Sequence, residues 1–248
     1  FTTYLLSLTV FIPVSGWVAD KFGSKNVFRA AILVFMLGSI ACGQSASWEW
    51  LSASRCLQGI GGATIVPVGR LILLRATPKS QMVDALAWLT MPALIGPLIG
   101  PPIGGFITTY LNWRWIFWMN IPIGVLGLYV ATRYMPETFR EEPKPLDGVG
   151  FILSSLGLSA LVFGSTVIGR DILSPVQTTA LVLLGCLCLT LYVRHAKRVA
   201  HPILDLNLLK VRTFRVAVTG GSLFRIGVGA IPFLLPLMLQ LGFDYTPV

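Results

Sequence analysis

Residues 148–169 read GVGFILSSLGLSALVFGSTVIG, a run in which no side chain carries a charge. At 1.5 Å per residue, an α-helix of about 20 residues crosses the roughly 30 Å hydrocarbon core of a bilayer. Inside lipid the backbone has no water to bond, and a helix satisfies its amides within its own segment. Seven more apolar stretches lie near 1–19, 28–46, 50–74, 85–108, 114–135, 175–193 and 216–242. They lack the short alternating pattern of a transmembrane β-strand. The chain is therefore expected to be all-α, a polytopic transmembrane helical bundle of about eight helices.

Composition agrees. Hydrophobic residues fill 54% of the 248 positions and charged residues 12%, and the mean hydropathy is +0.77. That is too apolar for a surface facing water. The net charge of +9 raises nucleic acid as a partner, but the bases are sorted by side. Lys21, Lys25, Arg29, Arg75, Lys79, Arg133, Arg140, Lys144, Arg194, Lys197, Arg198, Lys210, Arg212 and Arg215 fall on one face, fourteen of the 19. Only Arg114 and Arg170 fall on the other, with Arg55, Arg70 and Arg225 inside spans. The positive-inside rule makes the basic face cytoplasmic and removes the need for nucleic acid. Cys42, Cys56, Cys186 and Cys188 lie in apolar runs without disulfide spacing, and neither histidine has metal-ligand neighbours. The chain opens on Phe1 with no basic region before Tyr4, so it reads as a fragment whose first helix is cut into.

Two cytoplasmic connections are longer than the rest. Residues 136–147 (PETFREEPKPLD) are Pro-rich and of mixed charge, an extended linker between helix groups. Residues 199–214 (VAHPILDLNLLKVRTF) intersperse apolar side chains with Asp205, Lys210 and Arg212, which fits either a short interfacial helix or an ordinary loop.

Four constellations carry chemistry. In the first cytoplasmic turn, Gly16 allows close helix approach, Asp20 can face a cation or a helix N-terminus, and Gly23 permits a tight turn, with Lys21 and Lys25 alongside. In LSASRCLQGIGGA (51–63), Arg55 sits several residues inside the membrane, with Gln58 one turn on. A cation at depth costs at least about 2.5 to 3.5 kcal/mol unless paired or hydrated, so Arg55 is either functional or snorkelling. Arg70 is nearer the cytoplasmic end and reads as a snorkeller. In GPLIGPPIGG (96–105), Gly96, Gly100 and Gly104 form a smooth stripe against which a helix can pack, while Pro97, Pro101 and Pro102 remove donors and bend the helix. In NWRWIFWMNIPIG (112–124), Trp113, Trp115 and Trp118 suit the membrane interface.

These strings carry a resemblance. Residues 16–25 resemble the signature loop of the major facilitator superfamily, with Val18 for Leu and Ser24 where the family places a base. The 55–61 run is similar to its R-x-x-Q-G-x-G motif. Gly96, Gly100, Pro101, Gly104 and Gly105 match the fixed positions of the antiporter motif G-x-x-x-G-P-x-x-G-G. Trp113, Arg114, Trp115, Asn120 and Pro122 match the hallmark of the fourteen-helix drug:proton antiporters of the EmrB/QacA type. MdtD- and HsrA-like members are nearest in pattern around Val66–Arg70 and Phe224–Gly227. Also similar are His201-Pro202, 212–214 and the Pro232 to Gln240 stretch.

The resemblance implies the family's second to ninth helices. Residues 1–135 would be helices 2–6 of the N-terminal six-helix bundle, 136–147 the linker, and 148–193 two extra central helices. Residues 194–215 would be a cytoplasmic connection, and 216–248 the first helix of the C-terminal bundle. It implies a proton-coupled multidrug efflux antiporter of the bacterial inner membrane, moving amphipathic or cationic compounds by rocking its halves. Asp20 would serve a charge latch, Arg55 and Gln58 proton coupling, the 96–105 helix a leak barrier, and Arg225 the cavity. No cofactor beyond the proton gradient is implied. The partners are the lipid bilayer, a small organic substrate and protons, with a periplasmic adaptor protein as a further candidate. Alternatives with the same fold are export of a metabolite such as an amino acid or siderophore, and a non-transporting receptor or scaffold. An enzyme is disfavoured because no nucleophile or carboxylate cluster lies at depth. All ten acids fall in loops or at segment ends, and the family's coupling acid is expected in its first helix.

Overall fold

The computed structural model describes residues 2–136, 145–168 and 172–242, and every regular element among them is helical. The helices are α1 (Thr2–Phe22), α2 (Ser24–Gly43), α3 (Trp48–Ala76), α4 (Met82–Tyr110), α5 (Trp115–Trp118), α6 (Asn120–Tyr134), α7 (Gly148–Val167), α8 (Pro175–Ala196) and α9 (Arg212–Gly242). All eight apolar segments fall on helices, 114–135 on the α5–α6 pair. Six stretches are long and apolar enough to cross a membrane: α1, α2, α3, Trp115–Tyr134, α7 and α8. The other two segments lie on α4 and α9, of 29 and 31 residues. Large apolar side chains such as Leu37, Val66, Leu126 and Leu183 stand exposed on the outer flanks, as a lipid-facing surface requires.

Local chemistry sets the helix ends. Gly23 has φ 86°, in the left-handed region glycine tolerates, and this residue alone separates α1 from α2. The Ser47 hydroxyl accepts from the Trp50 amide at the start of α3. α8 opens with a reciprocal Ser174–Gln177 capping box and Pro175 in its first turn.

Packing centres on α3, which α1 and α2 flank. α6 packs on α2, and α7 packs on both α1 and α8. Helix association in lipid relies on close van der Waals packing, and glycines supply it here. A Cβ on Gly61 would lie 2.5 Å from the Phe35 backbone nitrogen, and one on Gly38 would lie 2.6 Å from the Gln58 backbone. Gly157 and Gly185 do the same between α7 and α8, against Leu189 and Leu161. The Ser155 hydroxyl donates to the Val10 carbonyl at 3.0 Å and joins α7 to α1. α4 touches α3, the Lys79–Gln81 turn and α5, and α9 touches the Leu206–Lys210 turn.

Of the short helix or loop considered for 199–214, the structure has a five-residue 3-10 helix over Leu206–Lys210 within otherwise irregular chain, and α9 begins at Arg212. Pro202 lacks an amide donor, and Asp205 turns its carboxylate onto the Asn207 amide, which favours a local turn over an α-helix. Residues 137–144 of the expected linker, with Arg140 and Lys144, lie outside the described residues. So does Arg170.

The linker's last residue anchors a clasp. Asp147 caps α7 by accepting from the Gly150 amide at 2.8 Å, and its Oδ1 lies 2.7 Å from His195 Nε2 near the end of α8. The Tyr192 hydroxyl donates to the Leu204 carbonyl and accepts from the Leu204 amide, both at 2.9 Å. Burial pushes the Asp147 carboxyl up, but the His195 hydrogen bond and the Gly150 amide outweigh it and hold the group below its ordinary 3.8. A carboxyl depressed on folding stabilises fully above its unfolded value and loses that contribution as pH falls through the folded one. Asp147→Ala is therefore expected to lower the thermal stability of the purified full-length protein at neutral pH, by about 1 kcal/mol for the cap alone. The gap from wild type should narrow once pH drops below about 4. Equal melting curves at pH 7 would contradict this clasp.

Candidate functional site

The run from Arg55 to Gly62 lies where α3 meets both neighbours. Gly59 faces α1, where an added Cβ would be 2.5 Å from Ser7 Cβ, and Gly61 faces α2. Two glycines two residues apart, one for each side, let both helices close on the same turn of α3. The polar residues between them are drawn inside. Gln58 is 2% exposed; its Nε2 donates to the buried Ser39 hydroxyl at 2.7 Å, and its Oε1 accepts from Arg55 Nη1 at 3.0 Å. Ser7 donates to Cys56 Sγ at 3.1 Å across the α1–α3 seam.

Arg55 is half-buried and turned onto its neighbours in the bundle. Its Cζ lies 4.5 Å from the Phe117 ring centre and 5.9 Å from that of Tyr4. The charge contacts resolved among the described residues are the Asp20–Arg75 ion pair and the Asp147–His195 hydrogen bond, and neither involves Arg55. Aromatic faces and one amide oxygen leave its full positive charge in place. Such a cation lowers the proton affinity of any carboxyl brought beside it.

At the opposite end of α3, Asp20 Oδ1 pairs with Arg75 Nη2 at 2.9 Å, and Arg75 Nη1 donates to the buried Ser24 hydroxyl at 3.3 Å. Ser24 stands where a base was expected, and the base arrives from α3 instead. In the sequence Arg75 stands only as a cytoplasmic charge; its separation of 55 residues from Asp20 hides the pairing. Lys21 lies over the Trp17 ring at 4.6 Å. Lys25 is half-buried on the next turn, and Gly16 is exposed with no atom near its Cβ position.

Three predicted groups sit elsewhere. Gly96, Gly100, Gly104 and Gly105 on α4 have no neighbouring atom within 4 Å of an added Cβ, so the stripe is unpartnered among the described residues. Pro101 is exposed on the same helix. Arg225 is exposed on α9 and is not brought near Arg55. Arg70 is exposed, in keeping with snorkelling.

The hallmark string forms the cap of the far end. Arg114 Nη2 donates to the Ser45 carbonyl at 2.8 Å, and its guanidinium stacks 4.7 Å over Trp113. Asn112 Oδ1 accepts from the Arg114 amide at 3.0 Å. Asn120 donates to the Ile116 carbonyl one turn back at 3.4 Å. Outward, Arg114, Trp115, Trp118 and Pro122 border an open 610 Å³ pocket. Exposed Trp48, Trp50 and Trp115 mark this end as a membrane interface opposite the basic one.

The described residues thus form a multi-pass helical bundle with a half-buried cation on α3 and a charge pair at its basic end. The model of the Major Facilitator Superfamily matches residues 1–248, and the chain belongs to that family. Among its relatives are proteins named MdtD, for multidrug resistance. The one from Pectobacterium atrosepticum is 40% identical over 99% of this chain and 52% of its own length. Those of Pectobacterium carotovorum and Citrobacter koseri are 41% and 39% identical with the same coverage. The chain spans about half the length of these curated relatives.

Two outcomes test the geometry. Gly61→Val forces backbone apart at 2.5 Å and is expected to destabilise the full-length protein by about 1–3 kcal/mol or abolish its folded yield; a wild-type melting temperature and yield would refute the close approach. Asp20 and Arg75 are partly exposed, at 37% and 28%. A double-mutant cycle on them should give a stability coupling no larger than about 1 kcal/mol, shrinking with salt. A coupling indistinguishable from zero at low salt would deny the pair.

Proposed function

We propose that this chain is part of a proton-coupled efflux antiporter of a bacterial inner membrane, exporting amphipathic or cationic organic compounds by alternating access. The observation that carries the coupling is Arg55, a cation kept at depth by Gln58 and two rings and left without a carboxylate among the described residues. A carboxyl approaching it would give up its proton; drawn away, it would take one back. That is the switch an exchanger needs.

Three further features support the reading. Asp20 and Arg75 form a surface pair of the modest strength that a reversible latch requires. The α4 stripe, smooth and uncovered, is suited to close packing against a second bundle that limits leak. The relatives' name for multidrug resistance supports drug-like cargo. No cofactor chemistry is invoked; lipid, protons and a small organic substrate are the proposed partners.

Full-length protein in proteoliposomes tests this. An imposed pH gradient is expected to drive amphipathic cations against their concentration gradient, and adding substrate should release protons. Arg55→Ala should cut the coupled flux by about tenfold or more, the equivalent of about 1.4 kcal/mol, while protein yield stays normal. Transport indifferent to the gradient, or an Arg55→Ala variant with full coupled flux, would sink the proposal.

A further inference from the structure

The geometry points to Phe117 as a positioning residue for Arg55, with the Trp113–Arg114 pair staking it in place. This rests on reading Arg55 as the coupling cation. Phe117 belongs to a one-turn helix, yet it is 4% exposed and lies with its ring 4.5 Å from the Arg55 Cζ. Trp113 meets Phe117 at 6.0 Å and 85°, edge to face. Arg114 covers Trp113 at 4.7 Å and is itself tied to the Ser45 carbonyl. The Trp118 ring lies 2.9 Å from where a Cβ on Gly43 would be, so only glycine leaves room for it. A cation, two rings and a second cation therefore stand in sequence from the α2–α3 connection to the interior of the bundle.

Chemistry says why an aromatic side chain holds this place. Arginine has a long flexible stem, and a guanidinium near the end of a span is free to reach for the interface. A leucine would leave the cation unsatisfied on that side. A carboxylate would neutralise it. The negative face of an aromatic ring attracts the cation without removing its charge and without exchanging a proton. Arg55 is thereby held in place by a ring and an amide oxygen, with no carboxylate among the described residues paired to it. Tyr4 contributes from α1 at 5.9 Å, a longer and weaker contact.

The test combines a stability cycle with a pH profile in the full-length protein. Phe117→Leu, Arg55→Gln and the double variant are melted alongside wild type. The two changes are expected to be non-additive by at least about 2 °C, and Phe117→Tyr to melt close to wild type. In transport, Phe117→Leu should shift the pH midpoint of coupled flux by roughly one unit, a tenfold change in proton affinity, with substrate KM within about twofold; Phe117→Tyr should restore the midpoint. Strict additivity in melting overturns the inference, as does a tyrosine variant as impaired as the leucine one. Non-additive melting without any proton-coupled transport by the wild type would uphold the positioning contact and refute the antiporter reading.

Discussion

The close approach of α1 and α2 to a single turn of α3 is the constraint from which the rest of the bundle follows. In water, burying apolar surface would drive such packing; in lipid the tails are as apolar as the side chains, and only closer contact favours helix against helix. Gly59 and Gly61 remove the atoms that would hold α1 and α2 away. Once the backbones close, Gln58 has no solvent and must find its partners inside, which it does in Ser39 and Arg55. The energetic demand of the packed turn thus creates the polar site. The same logic recurs between α7 and α8, where Gly157, Gly164 and Gly185 let leucines, a valine and the backbone come close.

Charge is distributed by depth. At the basic face, Asp20 and Arg75 remain partly hydrated, so their attraction is screened and easily exchanged. Arg55 is half-buried against Phe117 and Gln58, and a guanidinium away from water is costly without compensation. Rings and an amide oxygen compensate it incompletely. One end of α3 therefore carries a partly exposed ion pair, and the other a half-buried cation with no carboxylate beside it among the described residues.

Much of this was legible in the sequence. Lipid imposes length, apolarity and helicity together, so the spans could be read from charge-free runs such as 148–169. Their ends were less legible. Ser24 to Val27 looked like loop because of Lys25, yet charged residues continue a helix into the headgroup region, and the break needed only Gly23. Arg212 to Arg215 were absorbed into α9 for the same reason. At the site, Arg55 and Gln58 stood out because polar residues at depth are rare. Arg75 did not, since a base in a cytoplasmic loop is unremarkable until the chain folds it onto Asp20. Phe117 was masked by its tryptophan neighbours, whose presence at an interface already had a sufficient cause. Gly38 and Ser39 gave no signal alone, because small residues are common in any membrane helix.

α1 and α3 touch within one turn of Arg55, at Ser7 and Cys56, and a cross-link reads that contact directly. Ser7→Cys in full-length protein, with Cys42, Cys186 and Cys188 changed to alanine, places a thiol opposite native Cys56, where the present Oγ to Sγ distance is 3.1 Å. With a protease site inserted between α2 and α3, mild oxidation in native membranes is predicted to keep the two cleaved pieces together on a non-reducing gel and release them on reduction. Pieces that separate after oxidation, while a thiol pair across α7 and α8 cross-links readily, would contradict the packed turn on which Arg55 depends.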